Sequence, residues 1–190
     1  MRALVALLFL SSLPVFAEEL YKKPPKEILD VLNAPLTPML SVSPARDWSL
    51  LGQPQRYPSI AELAEPMLRL AGFRINPNTN GPHLGPGLIG LTLKKIADGS
   101  EIKLGLPPAA QLGAPEWSPD GKQFALTNTT KSAVELWVGD TTGKLRPLKV
   151  GRLAAAFGDP VRWMPDNRTD RKSTRLNSSH IQKSRMPSSA

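Results

Sequence analysis

Ala114-Pro115-Glu116-Trp117-Ser118-Pro119-Asp120-Gly121-Lys122-Gln123-Phe124-Ala125-Leu126 decides how the chain is read. A short extended piece ends in Trp117 and the chain reverses over Ser118-Pro119-Asp120-Gly121. Pro119 presets φ for the first corner, Asp120 can bond the local backbone, and Gly121 enters a left-handed conformation at little cost. Gln123 to Leu126 then reads as a buried strand. A second copy follows at Pro160-Val161-Arg162-Trp163-Met164-Pro165-Asp166-Asn167. Trp117 and Trp163 are 46 residues apart, and Pro119/Pro165 and Asp120/Asp166 keep that spacing, with Asn167 in the place of Gly121. Asn is the next residue to tolerate the left-handed region. One such turn per ~40–50 residues is the period of a four-stranded propeller blade.

Two hairpins repeat on nearly the same spacing. Leu91, Leu93 and Ile96 lead to Asp98-Gly99, with Ile102 and Leu104 returning; Val134, Leu136 and Val138 lead to Asp140-Thr141-Thr142-Gly143, with Leu145 and Leu148 returning. Gly99 and Gly143 are 44 residues apart. Asp-Gly between alternating apolar runs is a strong hairpin signal. A degenerate turn, Ser43-Pro44-Ala45-Arg46-Asp47, precedes a strand over Trp48–Leu51. The predicted fold is therefore all-β, an incomplete β-propeller over residues 39–169. It has one irregular blade (39–106), one regular blade (114–148), and a third begun at Pro160 and cut off after its first turn. Between Gln53 and Gly87 lies an insertion. It opens with the capping box Ser59-Ile60-Ala61-Glu62, continues through a partly alternating Leu68–Ile75 with a bulge at Ala71-Gly72, and closes in turn-rich loop.

The flanks read differently. Met1–Ala17 has the form of a secretory signal: Arg2, an apolar run from Ala3 to Leu10, and Val15-Phe16-Ala17 with small residues at the −3 and −1 places, so cleavage is expected after Ala17. The run falls short of the ~20 apolar residues of a membrane span. The expected destination is periplasmic or secreted. Residues 18–38 form a lead-in, with about two helical turns over Lys26–Asn33 stopped by Pro35 and Pro38. Residues 170–190 hold seven Ser or Thr and five Lys or Arg without apolar periodicity, and predict a disordered tail.

Composition sets bounds. The chain has 190 residues, 20 of them Pro, which is about twice the usual share and points to many turns. With no Cys, disulfide frameworks and thiolate metal sites are excluded. The net charge is +8, but without residues 170–190 the count is 19 basic against 15 acidic. That weakens a nucleic-acid reading of the body, and the tail has no aromatic on which a base could stack.

Trp117-Ser118-Pro119-Asp120-Gly121-Lys122 before an apolar strand resembles the blades of Tol-associated propellers and of the prolyl oligopeptidase family. The text at Leu68–Pro77, at Gly90-Leu91-Thr92-Leu93 and at Phe157–Trp163 is similar to the N-terminal part of secreted serine peptidases of that family, in the glutamyl-endopeptidase-like branch. The resemblance runs from about Glu19 to Thr169. It implies an N-terminal propeller that gates substrate access to a following α/β-hydrolase domain, where the catalytic Ser, Asp and His lie. It also implies two partners, that domain and peptide substrates, and no cofactor. The tail around Arg171–His180 resembles translated sequencing-adaptor sequence, so the chain is expected to be a truncated reading frame.

The chain has no Gly-x-Ser-x-Gly elbow, and its two histidines, His83 and His180, stand apart from any nucleophile motif. No catalytic, cofactor-binding or metal residue is assigned, and the chain is expected to be inactive by itself. Trp117 and Trp163 read as core packing rather than ligand stacking. Pro119, Asp120, Gly121, Pro165, Asp166 and Asn167 read as turn residues, and His83 as a loop histidine. Asn128-Thr129-Thr130 and Asn167-Arg168-Thr169 match the glycosylation pattern but read as turn polarity. The rival function is a non-catalytic periplasmic propeller of the Tol-associated kind that binds protein partners.

Overall fold

A computed structural model describes residues 23–85 and 87–166 and, as backbone, Thr169–Lys172 and Gln182–Arg185. The proposed leader and its cleavage residue Ala17 lie outside the described residues, as does Asn167. Helix α1 (Lys26–Asn33) falls in the first of two compact units, Met1–Ala34; every other element lies in the second, Pro35–Ala190. No residue of α1 is buried.

In the second unit, β1 (Met39–Val42) and β2 (Trp48–Pro54) form a hairpin. The insertion follows, with α2 (Ile60–Leu63), β3 (Leu68–Leu70), β4 (Phe73–Asn76) and β5 (Gly81–Pro82). Then come β6 (Leu88–Lys95), β7 (Glu101–Lys103), β8 (Glu116–Trp117), β9 (Gln123–Thr129), β10 (Val134–Asp140) and β11 (Leu145–Leu153). The described chain ends in β12 (Val161–Trp163), β13 (Thr169–Lys172) and β14 (Gln182–Arg185). Blade 1 has the order β1-β2-β6-β7, and blade 2 is β8-β9-β10-β11. All their pairings are antiparallel, as a four-stranded meander requires. The third sheet is β12-β13-β14 and the insertion makes its own, β3-β4-β5. The blades are propeller-type and do not close into a ring.

Two cores fill the spaces between blades. Leu50, Leu91 and Leu93 of blade 1 pack with Trp117, Phe124 and Leu126 of blade 2. Ala125, Val134, Leu136 and Val138 of blade 2 pack with Val161 and Trp163. Strand alternation explains the division. Phe124 and Leu126 share one face of β9, and Ala125 lies on the other, so one strand serves both cores. Leu112, 1% exposed, stitches the crossing between blades: its N–H donates to the Leu88 carbonyl at 3.0 Å and its carbonyl accepts from the Leu88 N–H at 2.8 Å.

The expected hairpins are present, with Gly99 at φ 71 and Gly143 at φ 86. One expectation needs correction. Ala71-Gly72 is not a bulge but the two-residue loop of a β3–β4 hairpin, since Leu70 pairs with Phe73 and both loop residues have positive φ (47 and 87). Positive φ at both loop residues gives the twist of a primed turn, which suits the flanking strands. Most of the tail expected to be disordered from residue 170 lies outside the described residues, and the third blade begun at Pro160 is an incomplete sheet. Thr169–Lys172 pairs with β12, and Gln182–Arg185 pairs with that strand in turn. The free edge of a strand offers unpaired N–H and C=O groups, and a polar segment can satisfy these without any apolar period of its own. Residues 173–181 and 186–190 lie outside the described residues.

Candidate functional site

Of the predicted repeat residues, Trp117 and Trp163 latch neighbouring blades together, and Pro119, Asp120 and Gly121 lie in the turn beside Trp117. Ser118 is fully buried; its N–H donates to the Gln123 carbonyl at 2.8 Å, and its Oγ accepts from the Gln123 N–H at 3.0 Å. The hydroxyl is 2.6 Å from Asp120 Oδ1, which also accepts from the Lys122 N–H at 3.1 Å. Gly121 closes the turn onto the Ser118 carbonyl at 2.8 Å with φ 71. The degenerate turn in blade 1 repeats the serine's backbone bonds and the left-handed corner. Ser43 N–H reaches the Trp48 carbonyl at 2.9 Å, Trp48 N–H reaches Ser43 Oγ at 3.2 Å, and Arg46 takes the left-handed corner at φ 60.

Each Trp that ends an inner strand reaches the blade before it. Trp117 Nε1 donates to the Ser41 carbonyl at 3.4 Å, and Trp163 Nε1 donates to the Glu116 carbonyl at 3.0 Å. Ser41 and Glu116 each stand two residues before the buried turn serine, so the two latches are equivalent. Both indoles are nearly buried, at 9% and 7% exposure, and Trp117 meets Phe124 edge-on at 5.4 Å between centroids. Such a donor needs a partner once buried. Beside the second latch, burial raises the Glu116 carboxyl above its ordinary value; Arg162 opposes this and Asp159 adds to it. Pro165 and Asp166 are exposed. Among the described residues no group of three or more His, Cys, Asp or Glu could hold a metal ion.

The insertion is anchored by polar contacts that the sequence did not announce. The expected capping box forms: Glu62 N–H donates to Ser59 Oγ at 3.2 Å, and the Glu62 carboxylate accepts from Ser59 N–H. That carboxylate also accepts from Gln55 Nε2 at 3.0 Å and from Gln111 Nε2. Its pKa is lowered, chiefly by the Ser59 backbone N–H. On the far side, Asn80 carbonyl accepts from Ala155 N–H at 2.9 Å, and Arg152 Nη2 donates to the carbonyls of Asn78 and Ser132. The insertion is thereby tied to both crossings between blades. His83 is a docked loop residue, its Nε2 2.9 Å from the Glu65 carbonyl. No spacing marks Gln55, Gln111 or Arg152; only the Ser59/Glu62 pair was legible.

What the insertion presents outward is apolar and basic. Leu68, Leu70 and Phe73 are about half exposed, and Phe73 meets Phe157 edge-on at 5.0 Å. A cavity of about 280 Å³ is lined by Leu68, Arg69, Leu70, Ile75, Pro77 and Asn80. Arg69 and Arg74 stand directly opposite one another across β3 and β4.

Comparison with known proteins gives this arrangement a relationship. The chain is 31% identical over 140 residues to a probable glutamyl endopeptidase, chloroplastic, of Oryza sativa subsp. japonica. It is 34% identical over 139 residues to the Arabidopsis thaliana protein of the same name. This chain is related to the glutamyl endopeptidases of the prolyl oligopeptidase family. Each match takes in 67% of the chain and only 15% or 14% of the relative. No family model matches. Similar solved structures include a Bacteroides ovatus protein assigned as a dipeptidyl aminopeptidase IV (TM-score 0.48, 14% identity, 77% of this chain and 22% of that one). Pyrococcus horikoshii acylaminoacyl peptidase gives TM-score 0.38 at 15% identity, over 74% of this chain and 18% of that one. TolB of Acinetobacter baumannii gives 0.37 at 18% identity, over 82% and 42%.

Proposed function

We propose that this chain is the N-terminal propeller portion of an exported serine peptidase, whose blades screen the peptides that reach a separate hydrolase domain. The observation that supports this reading is the match to two glutamyl endopeptidases over 67% of the chain. In this reading the chemistry is acyl transfer by a Ser-His-Asp triad outside the 190 residues, which have no Gly-x-Ser-x-Gly elbow. The blades supply walls and loops, and the leader directs the protein to the periplasm or beyond.

The test has two arms. The first is the gene beyond the codon for Thr169: an elbow motif followed by Asp and His supports the peptidase, and a ring that closes without one favours the binding module. The second is the 190-residue chain itself, assayed on Glu- and Pro-containing chromogenic peptides with and without a serine-directed inhibitor. No turnover is expected, and inhibitor-sensitive turnover would overturn the assignment of chemistry to another domain.

A further inference from the structure

We propose that the open edge of β3 is a strand-addition site for an extended polypeptide segment with one acidic residue between two apolar ones. Three observations carry it. First, β3 pairs with β4 on one side, and among the described residues no strand pairs with its other side. Arg74 carbonyl is taken by the His83 N–H at 2.9 Å, so Arg74 bonds toward β5. Arg69 and Arg74 are therefore a non-hydrogen-bonded pair, and alternation points the Arg69 N–H and C=O outward at the open edge.

Second, the two faces of this hairpin are sorted. The register sets Leu68 opposite Ile75 and Leu70 opposite Phe73, which puts these four side chains on one face. The cavity of about 280 Å³ lies against Leu68, Leu70 and Ile75, and Arg69 also contributes to its lining. Arg69 and Arg74 occupy the other face, exposed, and form no ion pair among the described residues. Third, like charges directly opposite on adjacent strands are unfavourable. The non-hydrogen-bonded geometry makes this worse, because it brings the side chains closest. An acidic side chain on an added strand, opposite Arg69, would offset that repulsion, while its apolar neighbours fall beside Leu68 and Leu70. The charge thus selects an acid, and the alternation selects what flanks it. This is strand augmentation, with main-chain bonds giving affinity and alternate side chains giving specificity. It stands whether or not the chain serves a peptidase.

The experiment uses the 190-residue chain and the fluorescein-labelled peptide Ser-Val-Glu-Val-Ser, read by anisotropy. Saturable binding is expected. Replacing the probe's Glu by Lys should weaken it at least about fivefold, as should Arg69→Gln with Arg74→Gln together. Methylating the nitrogen of the probe's Glu removes one main-chain bond and should cost about fivefold. Both arginines are exposed, so thermal melts of the double variant should be unchanged or raised. Absence of saturable binding overturns the proposal, as does equal affinity for the Lys probe or an unaffected double variant. Self-association that responds to the Arg substitutions while the probe does not bind would assign this edge to a second copy, and the proposal falls.

Discussion

Blade 1 and blade 2 follow one plan but differ in two places. Blade 2 joins its second and third strands through Thr130–Ala133, whereas blade 1 uses residues 55–87 for the same connection. Their first turns also differ: Ser118-Pro119-Asp120-Gly121 in one, Ser43-Pro44-Ala45-Arg46 in the other. What persists is the buried serine, its paired bonds to the residue five places on, and a left-handed corner. What varies is the acid. Asp120 stands two residues after its serine, and Asp47 stands four after Ser43, yet each lies within 2.7 Å of the serine hydroxyl. The turn is held by the serine's hydrogen bonds, and the carboxylate's place in the chain is free so long as it reaches that hydroxyl.

The largest break in this equivalence should come from the latches. Trp117→Ala removes a nearly buried ring from the core between blades 1 and 2, and Trp163→Ala does the same one blade on. Each should cost about 3–5 kcal/mol, read as a shift of the urea midpoint at constant slope. A loss of slope as well for Trp117→Ala alone would show that the first junction holds the unit together and the second does not.

The turns give the next test. Gly121 has φ 71, and a Cβ there would lie 3.2 Å from both the Ala45 Cβ and the Ala45 backbone nitrogen. Gly121→Ala should destabilise by about 1–2 kcal/mol, from the left-handed conformation alone, with the contact adding to it. Arg46 already carries that strain at φ 60, so Arg46→Gly should be neutral or stabilising by up to about 1 kcal/mol. Thermal melts of the two variants moving in the same direction would break the equivalence of the corners.

A finer test separates ring from hydrogen bond. Trp→Phe keeps apolar bulk and loses the Nε1 donor, for about 1 kcal/mol where that bond is good. Trp163 donates at 3.0 Å and Trp117 at 3.4 Å. Hence Trp163→Phe should cost more in bond energy than Trp117→Phe. The reverse order in matched urea titrations would mean that ring packing, not the donor, sets the latch.

The blades were legible because their signals are local. A Pro-Asp-Gly turn, an Asp-Gly hairpin and a capping box each sit within a few residues, and the 46 and 44 spacings tie them together. The Trp residues were read as packing, which their burial matches, but the ring donors were not read, because their acceptors lie 76 and 47 residues away. The same distance hid Gln111 and Arg152, whose partners belong to the insertion. Ala71-Gly72 was misread because alternation breaks alike at a bulge and at a two-residue turn; only the Leu70–Phe73 register distinguishes them. The late strands were missed because backbone pairing leaves no apolar pattern in the sequence.

The smallest expected effect lies in the two hairpin loops. Asp98 Oδ1 accepts from the Ser100 N–H at 3.0 Å and from its hydroxyl at 2.7 Å; Asp140 Oδ1 does the same with Thr142 at 2.9 and 2.5 Å. The Ser100 hydroxyl and N–H, in that order, with Lys95 nearby, bring the Asp98 pKa down to about 2 from an ordinary 3.8. A carboxyl whose folded pKa is lowered binds fewer protons folded than unfolded. It therefore contributes stability above its unfolded value, and loses that contribution as pH falls through the folded one. Asp98 is fully exposed, so the contribution is small and sensitive to salt. Asp98→Asn should be slightly less stable than the parent chain at pH 6. The gap should narrow from pH 4 downward and vanish near pH 2, measured by urea unfolding at low ionic strength. A gap that stays constant over that window would show that the side chain acts as a neutral turn former, as an Asn would. The two loops would then be alike in shape alone.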